Sequence, residues 1–160
     1  MIALLLVASP AFAISVEDMR SMMQQYPLPE VSKDSTPWQL FARTGEQQKK
    51  VTYPDGGYSY EVYAKYPEEI KALDGKEITL QGYVFPLEES ATQSHFLFGP
   101  YPPSCPFHYH TPPSLVIEVF AKEPVTYSWD MITIRGTFEI PEAGQGGAFY
   151  ILRSAATVKN

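Results

Sequence analysis

The chain has 160 residues, which is enough for one domain with its own hydrophobic core, so its size requires neither a disulfide nor a structural metal. A hydrophobic fraction of 44% together with 15 prolines and 11 tyrosines indicates a loop-rich β protein. The formal net charge of −6 argues against nucleic acid and anionic membranes as partners, because both bind basic surfaces. Cationic partners, including metal ions, remain open.

The N-terminal segment, MIALLLVASPAFA, is an apolar run that ends on the small-x-small pattern Ala11-Phe12-Ala13. Signal peptidases cleave after such a pattern, so we predict a signal peptide over 1–13. The run is too short to span a bilayer, which takes about 20 residues, and no membrane span is expected after cleavage. A buried N-terminal helix is the alternative. Cleavage would place the mature chain in the periplasm or outside the cell, in an oxidising compartment.

Residues 14–72 are expected to hold an N-terminal helix, a linker and accessory strands. Ser15 and Asp18 can cap a short helix whose apolar side chains follow a helical spacing, and an extended connector over 27–37 comes next. We predict that Trp38 to Ala42 starts a strand. The turn PDGG at 54–57 leads into alternating aromatic residues, and one or two helical turns are predicted from Pro67 to Leu73.

Residues 73–160 are expected to form an OB-like β domain. Apolar and polar residues alternate along 77–85 and again along 132–139, and shorter strands are predicted over 94–98, 115–120 and 149–152. Mid-strand glycines at 82 and 136 allow sharp coiling. These features favour a mainly β fold built on a small five-stranded barrel of OB type, with an open sandwich as the alternative. The residues expected in its core are Ile78, Leu80, Val84, Ile132, Ile134 and Phe138.

The segment PPSCPFHYH at 102–110 carries the one cysteine, Cys105, and two of the three histidines, His108 and His110. In an extended backbone the two imidazoles would project to the same side, about 6.5 to 7 Å apart at Cα, within reach of one ion. Thiolate and imidazole are the ligands that zinc and copper prefer. His95, on the strand that feeds this loop, could complete the set. The sequence therefore predicts a zinc or copper site.

Two alternatives to this metal site remain. The histidines could be solvated loop residues beside an inert, buried cysteine. Cys105-Pro106-Phe107-His108 also has the shape of a redox motif with histidine in place of the second cysteine, so a monothiol redox protein is the second alternative.

Two other connections carry residues with predicted structural roles. In the connection before 132, Trp129 is predicted to be core and Asp130 a turn or cap residue. Glu88 and Glu89 are expected in a solvated turn.

An aromatic face offers a function from another class. Tyrosines and one phenylalanine on two predicted strands could bind a glycan or a protein partner without any metal: Tyr58, Tyr60, Tyr63, Tyr83 and Phe85. Packing of these rings against the N-terminal segments is the competing explanation. An enzyme is not expected, since neither an acid–base pair nor an activated hydroxyl can be named.

Three stretches resemble a bacterial exported family of unassigned function: LDGKEITLQGYVFPLE at 73–88, FLFGPYPPSCPFHYHTPPSLVIEV at 96–119, and WDMITIRGTFEI at 129–140. The resemblance covers roughly 73–153. It implies a small OB-like domain, and some members of that family occur near zinc-uptake genes. In the family the position after Cys-Pro-Phe is often a second cysteine followed by a Gly-Pro-Glu-like turn. Here His108 and the TPPS at 111–114 replace them, which keeps a metal ligand and removes the dithiol.

Together these observations predict an exported accessory protein that handles zinc or copper through the Cys-x2-His-x-His loop. A metal ion and a metal-transport or metal-acceptor protein are the expected partners.

Overall fold

The structure, a computed structural model, describes residues 27–103, 111–141 and 148–158. The predicted signal peptide and N-terminal helix lie outside these residues. The elements, in chain order, are helix α1 (Trp38–Phe41), strands β1 (Gly45–Thr52) and β2 (Tyr58–Lys65), helix α2 (Glu68–Lys71), strands β3 (Glu77–Pro86) and β4 (Thr92–Gly99), a 3-10 helix (Pro113–Leu115), and strands β5 (Ile117–Thr126), β6 (Ile132–Glu139) and β7 (Ile151–Thr157). The described part of the chain contains no apolar helix of membrane-spanning length.

Strands β3 to β7 close into a barrel in the order β3-β4-β5-β7-β6, with β6 returning to pair with β3. The β5–β7 pair is parallel and the other pairs are antiparallel. This order, in which the third and fifth barrel strands are parallel neighbours, is that of an OB-type barrel, so the predicted fold class is confirmed. Leu80 lies opposite Ile134, which also confirms that the two strongly alternating strands are neighbours.

The barrel core follows from the alternation on β3 and β6, because successive side chains on a strand point to opposite sides of the sheet. Leu80, Ile134 and Phe138 have no exposed surface, and Ile78 and Val84 are also buried. Ile132, at the start of β6, is only partly buried. Five of the six predicted core residues are therefore inside, each contributing about 1.5–3 kcal/mol by its burial.

Two glycines let the strands bend where the barrel closes. A Cβ atom on Gly136 would lie 2.7 Å from the Arg153 carbonyl oxygen on β7. A Cβ atom on Gly82 would overlap the carbonyl of Gly99 on β4. Any side chain at these positions would push neighbouring backbones apart, which explains why glycine interrupts two otherwise regular apolar patterns.

The prediction that Trp38 to Ala42 starts a strand is wrong, since Trp38–Phe41 is the short helix α1. Trp38 and Phe41 are both fully buried, and their rings lie 5.5 Å apart. Residues three apart share one face of a helix but point to opposite faces of a strand, so only the helix buries both rings. The Trp38 indole N–H donates to the Gln81 carbonyl at 2.7 Å, which ties α1 to β3.

The prediction that Trp129 belongs to the core is also wrong, because this residue is 61% exposed. It lies in the connection between β5 and β6, outside the barrel, with its ring 6.0 Å from that of Tyr127. Val125, near the end of β5, is buried. Asp130 is exposed in a bend, where its N–H donates to the Ser128 hydroxyl at 3.2 Å, as expected of a turn residue.

Strands β1 and β2 form a separate antiparallel hairpin joined by the predicted turn. Gly56 has φ +84, the left-handed conformation that favours glycine, and the Tyr53 N–H donates to the Gly57 carbonyl at 2.8 Å. The predicted helical turns after Pro67 are present as α2. The hairpin therefore stands beside the barrel as an accessory element.

Candidate metal-binding loop and its surroundings

The loop that carries the predicted ligands connects β4 to β5 at one end of the barrel. Phe98 on β4 lies opposite Ile117 on β5, so this antiparallel pair forms the base of the loop. Cys105, His108 and His110 themselves lie outside the described residues. What the structure shows is how the barrel holds the two ends of the segment that contains them.

Both ends of the loop are anchored in the protein interior. On the β4 side Gly99, Pro100 and Pro103 are buried. On the β5 side Thr111 and Ser114 are each 8% exposed, and Leu115 is completely buried. The seven residues 104–110 are therefore attached to the barrel through buried residues on each side.

The returning end of the loop is stiffened by prolines and a 3-10 turn. The Leu115 N–H donates to the Pro112 carbonyl at 2.8 Å, and Pro112 itself has φ −57. A proline ring fixes φ near this value, and a proline at the start of a helical turn has no N–H to leave unsatisfied. This explains why the PPSL sequence forms a defined turn before β5 begins.

His95 lies on β4 opposite Phe120 of β5. Its Nε2 atom is 2.7 Å from the Glu118 Oε1 atom. The imidazole also stacks on the Phe120 ring, with centroids 4.5 Å apart and planes only 8° apart. The carboxylate contact and the stacking fix the ring orientation, and among the described residues they occupy Nε2 and not Nδ1, which is the nitrogen that could take an ion.

Two further side chains extend this cluster across the barrel surface. The Arg153 Cζ atom on β7 lies 4.8 Å from the Phe120 ring centroid, and Arg153 Nε lies 2.7 Å from Glu139 Oε2 on β6. Ser154, the next residue, has φ 52, and the pairing of β7 shifts register there with both neighbouring strands. A bulge of this kind redirects the adjacent side chains.

Sequence reasoning missed Glu118 and Phe120 as neighbours of His95, and Arg153 as a neighbour of Phe120. Alternation along β5 does indicate that Glu118 and Phe120 point away from the core, between buried Ile117 and Val119. Their meeting with His95 depends on the register of β4 against β5, which shifts between Gln93 and His95. No local sequence signal marks that shift.

Within residues 27–103, 111–141 and 148–158, no three His, Cys, Asp or Glu side chains are grouped so that they could hold a metal ion. Of the four predicted ligands, the described structure contains His95 alone. The arrangement around His95 can orient one imidazole, and any complete metal site would need the loop residues.

The predicted solvated turn is present in the structure, whereas the predicted aromatic face is not a single surface. Glu88 and Glu89 are exposed in the connection between β3 and β4, as expected of a solvated turn. The aromatic residues predicted to share a face are divided between two sheets, with Tyr58 and Tyr60 on the hairpin and Phe85 buried in the barrel. They do not form one surface.

Fold and topology define a small β protein whose OB-type barrel carries an accessory hairpin and an anchored, proline-rich loop between its second and third strands. A protein-family profile, described as a protein of unknown function (DUF3299), matches residues 16–156. The chain belongs to this family. No curated protein matches it.

A solved structure of a DUF3299 family protein from Pseudomonas aeruginosa PAO1, determined at 2.45 Å resolution, is similar to this chain. The two are 27% identical, and the match covers 61% of this chain and 68% of the other, with a TM-score of 0.46.

Proposed function

We propose that this chain is an exported accessory protein that handles zinc or copper through Cys105, His108 and His110. The observation that carries the proposal is that buried residues flank the short segment 104–110, which holds these three donors: Pro103 after β4 on one side and Thr111 before β5 on the other. Soft thiolate and imidazole donors suit zinc and copper, and a loop with fixed ends loses less entropy when it closes around an ion.

Export is part of the same proposal. A signal peptide over 1–13 would deliver the chain to an oxidising compartment, where its one cysteine has no internal partner for a disulfide. A bound metal ion would protect the thiolate from oxidation. This gives an exported protein a reason to keep an unpaired cysteine beside two histidines.

Three loop ligands leave one position of a four-coordinate ion open, which suits delivery of the metal better than permanent structural binding. His95 through its Nδ1 atom, a water molecule or a ligand from another protein could fill that position. A metal-transport or metal-acceptor protein is the partner that such an open site would serve.

Elemental analysis and calorimetric titration of the mature protein test the proposal, beside the variants Cys105→Ser and His108→Ala/His110→Ala. We expect stoichiometric zinc or copper in the wild type and its loss in both variants, with unchanged circular dichroism. Affinity should also fall as the pH is lowered, since thiol and imidazoles must lose protons to bind. Equal binding by the wild type and the double-histidine variant would contradict the proposal. Mixed-disulfide formation that needs Cys105 and ignores both histidines would favour the monothiol alternative.

A second proposal is that the hairpin binds a glycan or a protein partner. Tyr58 and Tyr60 favour it, because they are 60% and 61% exposed on one face of β2, and Lys50 of β1 lies 4.0 Å from the Tyr58 ring centroid. Binding on a glycan array that persists after chelation and in the Cys105→Ser variant, but is lost in Tyr58→Ala/Tyr60→Ala, would support this role.

A further inference from the structure

Two connections lie side by side at the end of the barrel opposite the cysteine–histidine loop. Residues 87–91 join β3 to β4, and residues 127–131 join β5 to β6. Because β4 runs antiparallel to β3 and to β5, these connections share one end, and the 100–116 loop lies at the other. The Tyr127 N–H donates to the Ala91 carbonyl at 2.9 Å, which joins the two connections directly.

These connections present apolar side chains to solvent, which we call the end patch: Leu87, Tyr127, Trp129 and Met131. Trp129 is 61% exposed, Leu87 47% and Met131 38%, and Tyr127 packs beside the indole. Among the described residues, the other exposed large hydrophobic side chains all lie on the hairpin. Burial of an exposed indole against a partner is favourable, because it removes a large apolar surface from water. Tryptophan is also enriched among the residues that dominate binding at protein interfaces.

The connection that bears Leu87 is rigid, because Gln93 holds it from inside. This side chain is completely buried and bonds four backbone groups: it accepts from the N–H groups of Leu87 and Glu88, and it donates to the carbonyls of Glu88 and Ser90. A preformed surface of this kind loses little conformational freedom on binding.

The charged residues of the two connections that form the end patch are all acidic. The two connections, LEESA and YSWDM, carry Glu88, Glu89 and Asp130 and no basic residue, and all three acidic residues are exposed. The whole chain has a net charge of −6, which adds a long-range attraction for a cationic partner. A second copy of the chain or an anionic membrane would be repelled. On the hairpin, by contrast, Lys50 covers the Tyr58 ring.

We propose that the end patch is a docking site for a basic, apolar segment of another protein. An apolar side chain of that segment packs on Trp129 beside Tyr127, and its Lys or Arg residues pair with Glu89 and Asp130. The site lies at the opposite end of the barrel from the proposed metal loop, so a partner can bind here while the loop remains accessible. Loss of metal binding would leave this site unaffected.

Synthetic peptides test the proposal with the purified protein. The probe is Lys-Leu-Lys-Leu-Lys, and the controls are Glu-Leu-Glu-Leu-Glu and Lys-Ser-Lys-Ser-Lys. The two tryptophans can be told apart, because Trp38 is fully buried and Trp129 exposed. We expect the basic, apolar peptide alone to shift the emission to the blue and to protect Trp129 from acrylamide. Its affinity should fall as salt is added, since exposed charges are screened.

Variants complete the test, with anisotropy of the labelled peptide as the measurement. Trp129→Ala and Glu89→Gln/Asp130→Asn should each lower the affinity about tenfold or more, the order expected for an interface hot spot. Tyr58→Ala, which removes an equally exposed ring on the hairpin, should leave it unchanged. Equal peptide binding by Trp129→Ala, or equal binding of the acidic peptide, would overturn the proposal. Self-association in sedimentation that Trp129→Ala abolishes, or binding to anionic vesicles through Trp129, would overturn it by assigning the patch another occupant.

Discussion

The Nε2 atom of His95 lies 2.7 Å from the Oε1 atom of Glu118, and this contact joins the two strands that lead into and out of the 100–116 loop. Glu118 directly follows Ile117, which pairs with Phe98 at the base of the loop. The imidazole is thus held by a carboxylate close to where the proposed metal ligands attach. A carboxylate behind a histidine is the usual support for a metal-binding imidazole.

Glu118 should strengthen metal binding by orienting the His95 imidazole. If His95 completes the metal site through Nδ1, Glu118→Gln should lower the affinity for zinc or copper about tenfold, since loss of a carboxylate partner weakens such sites by that order. Competition with a chromogenic chelator measures it. Glu139→Gln, which removes the partner of Arg153, is the matched control and should have no effect. Unchanged affinity in both Glu118→Gln and His95→Ala would show that His95 is not a ligand.

Closure of the barrel should depend on the absence of a side chain at position 136. Gly136→Ala places a Cβ atom 2.7 Å from the Arg153 carbonyl oxygen, so β6 and β7 must move apart. We expect a loss of about 1–3 kcal/mol in the free energy of unfolding, measured by urea titration. In Gly45→Ala the new Cβ would lie 3.5 Å from Lys65 Cβ, an ordinary contact, and stability should hardly change. Equal effects at the two positions would be evidence against the close approach.

Gln93 should stabilise the barrel through the connection it holds. Gln93→Ala removes a buried side chain that bonds four backbone groups of residues 87–90, and we expect a cost of about 1–3 kcal/mol. Chemical denaturation measures the change. Gln47→Ala, on the exposed surface of β1, should stay within about 0.5 kcal/mol of wild type. A Gln93 variant as stable as wild type would mean that water replaces all four bonds without cost.

Alkaline pH should destabilise the protein through Tyr150. Burial raises the pKa of this phenol above its ordinary value of 10.0. Above pH about 10 the unfolded chain loses the phenol proton while the folded chain keeps it. The free energy of unfolding should therefore fall by up to about 1.4 kcal/mol per pH unit for this group, and should not depend on it below that pH.

Tyr150→Phe checks this assignment. Among the described residues the buried Tyr150 hydroxyl has no hydrogen-bond partner, so its removal should leave stability at pH 7 unchanged or slightly higher. Thermal unfolding between pH 8 and pH 11 should then show a shallower decline than in the wild type. Tyr58→Phe, which alters an exposed ring, should retain the full decline. A parallel decline in all three proteins would exclude Tyr150 as the cause.

Much of the barrel could be predicted from the sequence because alternation is a local property. Leu80 and Ile134 follow polar neighbours at period two, and both are completely buried. The same reasoning failed at Trp38, where a two-residue period was assumed and a helix buries the ring instead. It failed at Trp129 because an indole is usually buried, whereas this one lies in the connection between β5 and β6, outside the barrel.

The strand pattern, the glycines that allow bending and the grouping of Cys105, His108 and His110 follow from the sequence alone, since each depends on residues close together in the chain. Packing between distant segments brings His95 to Glu118 and Phe120 and leaves Trp129 in solvent. The first outcome depends on the register of β4 against β5, which shifts between Gln93 and His95, and the second on where the β5–β6 connection lies relative to the barrel. Strand register and the position of a connection are set only when distant segments pack together, so a local sequence pattern does not predict them.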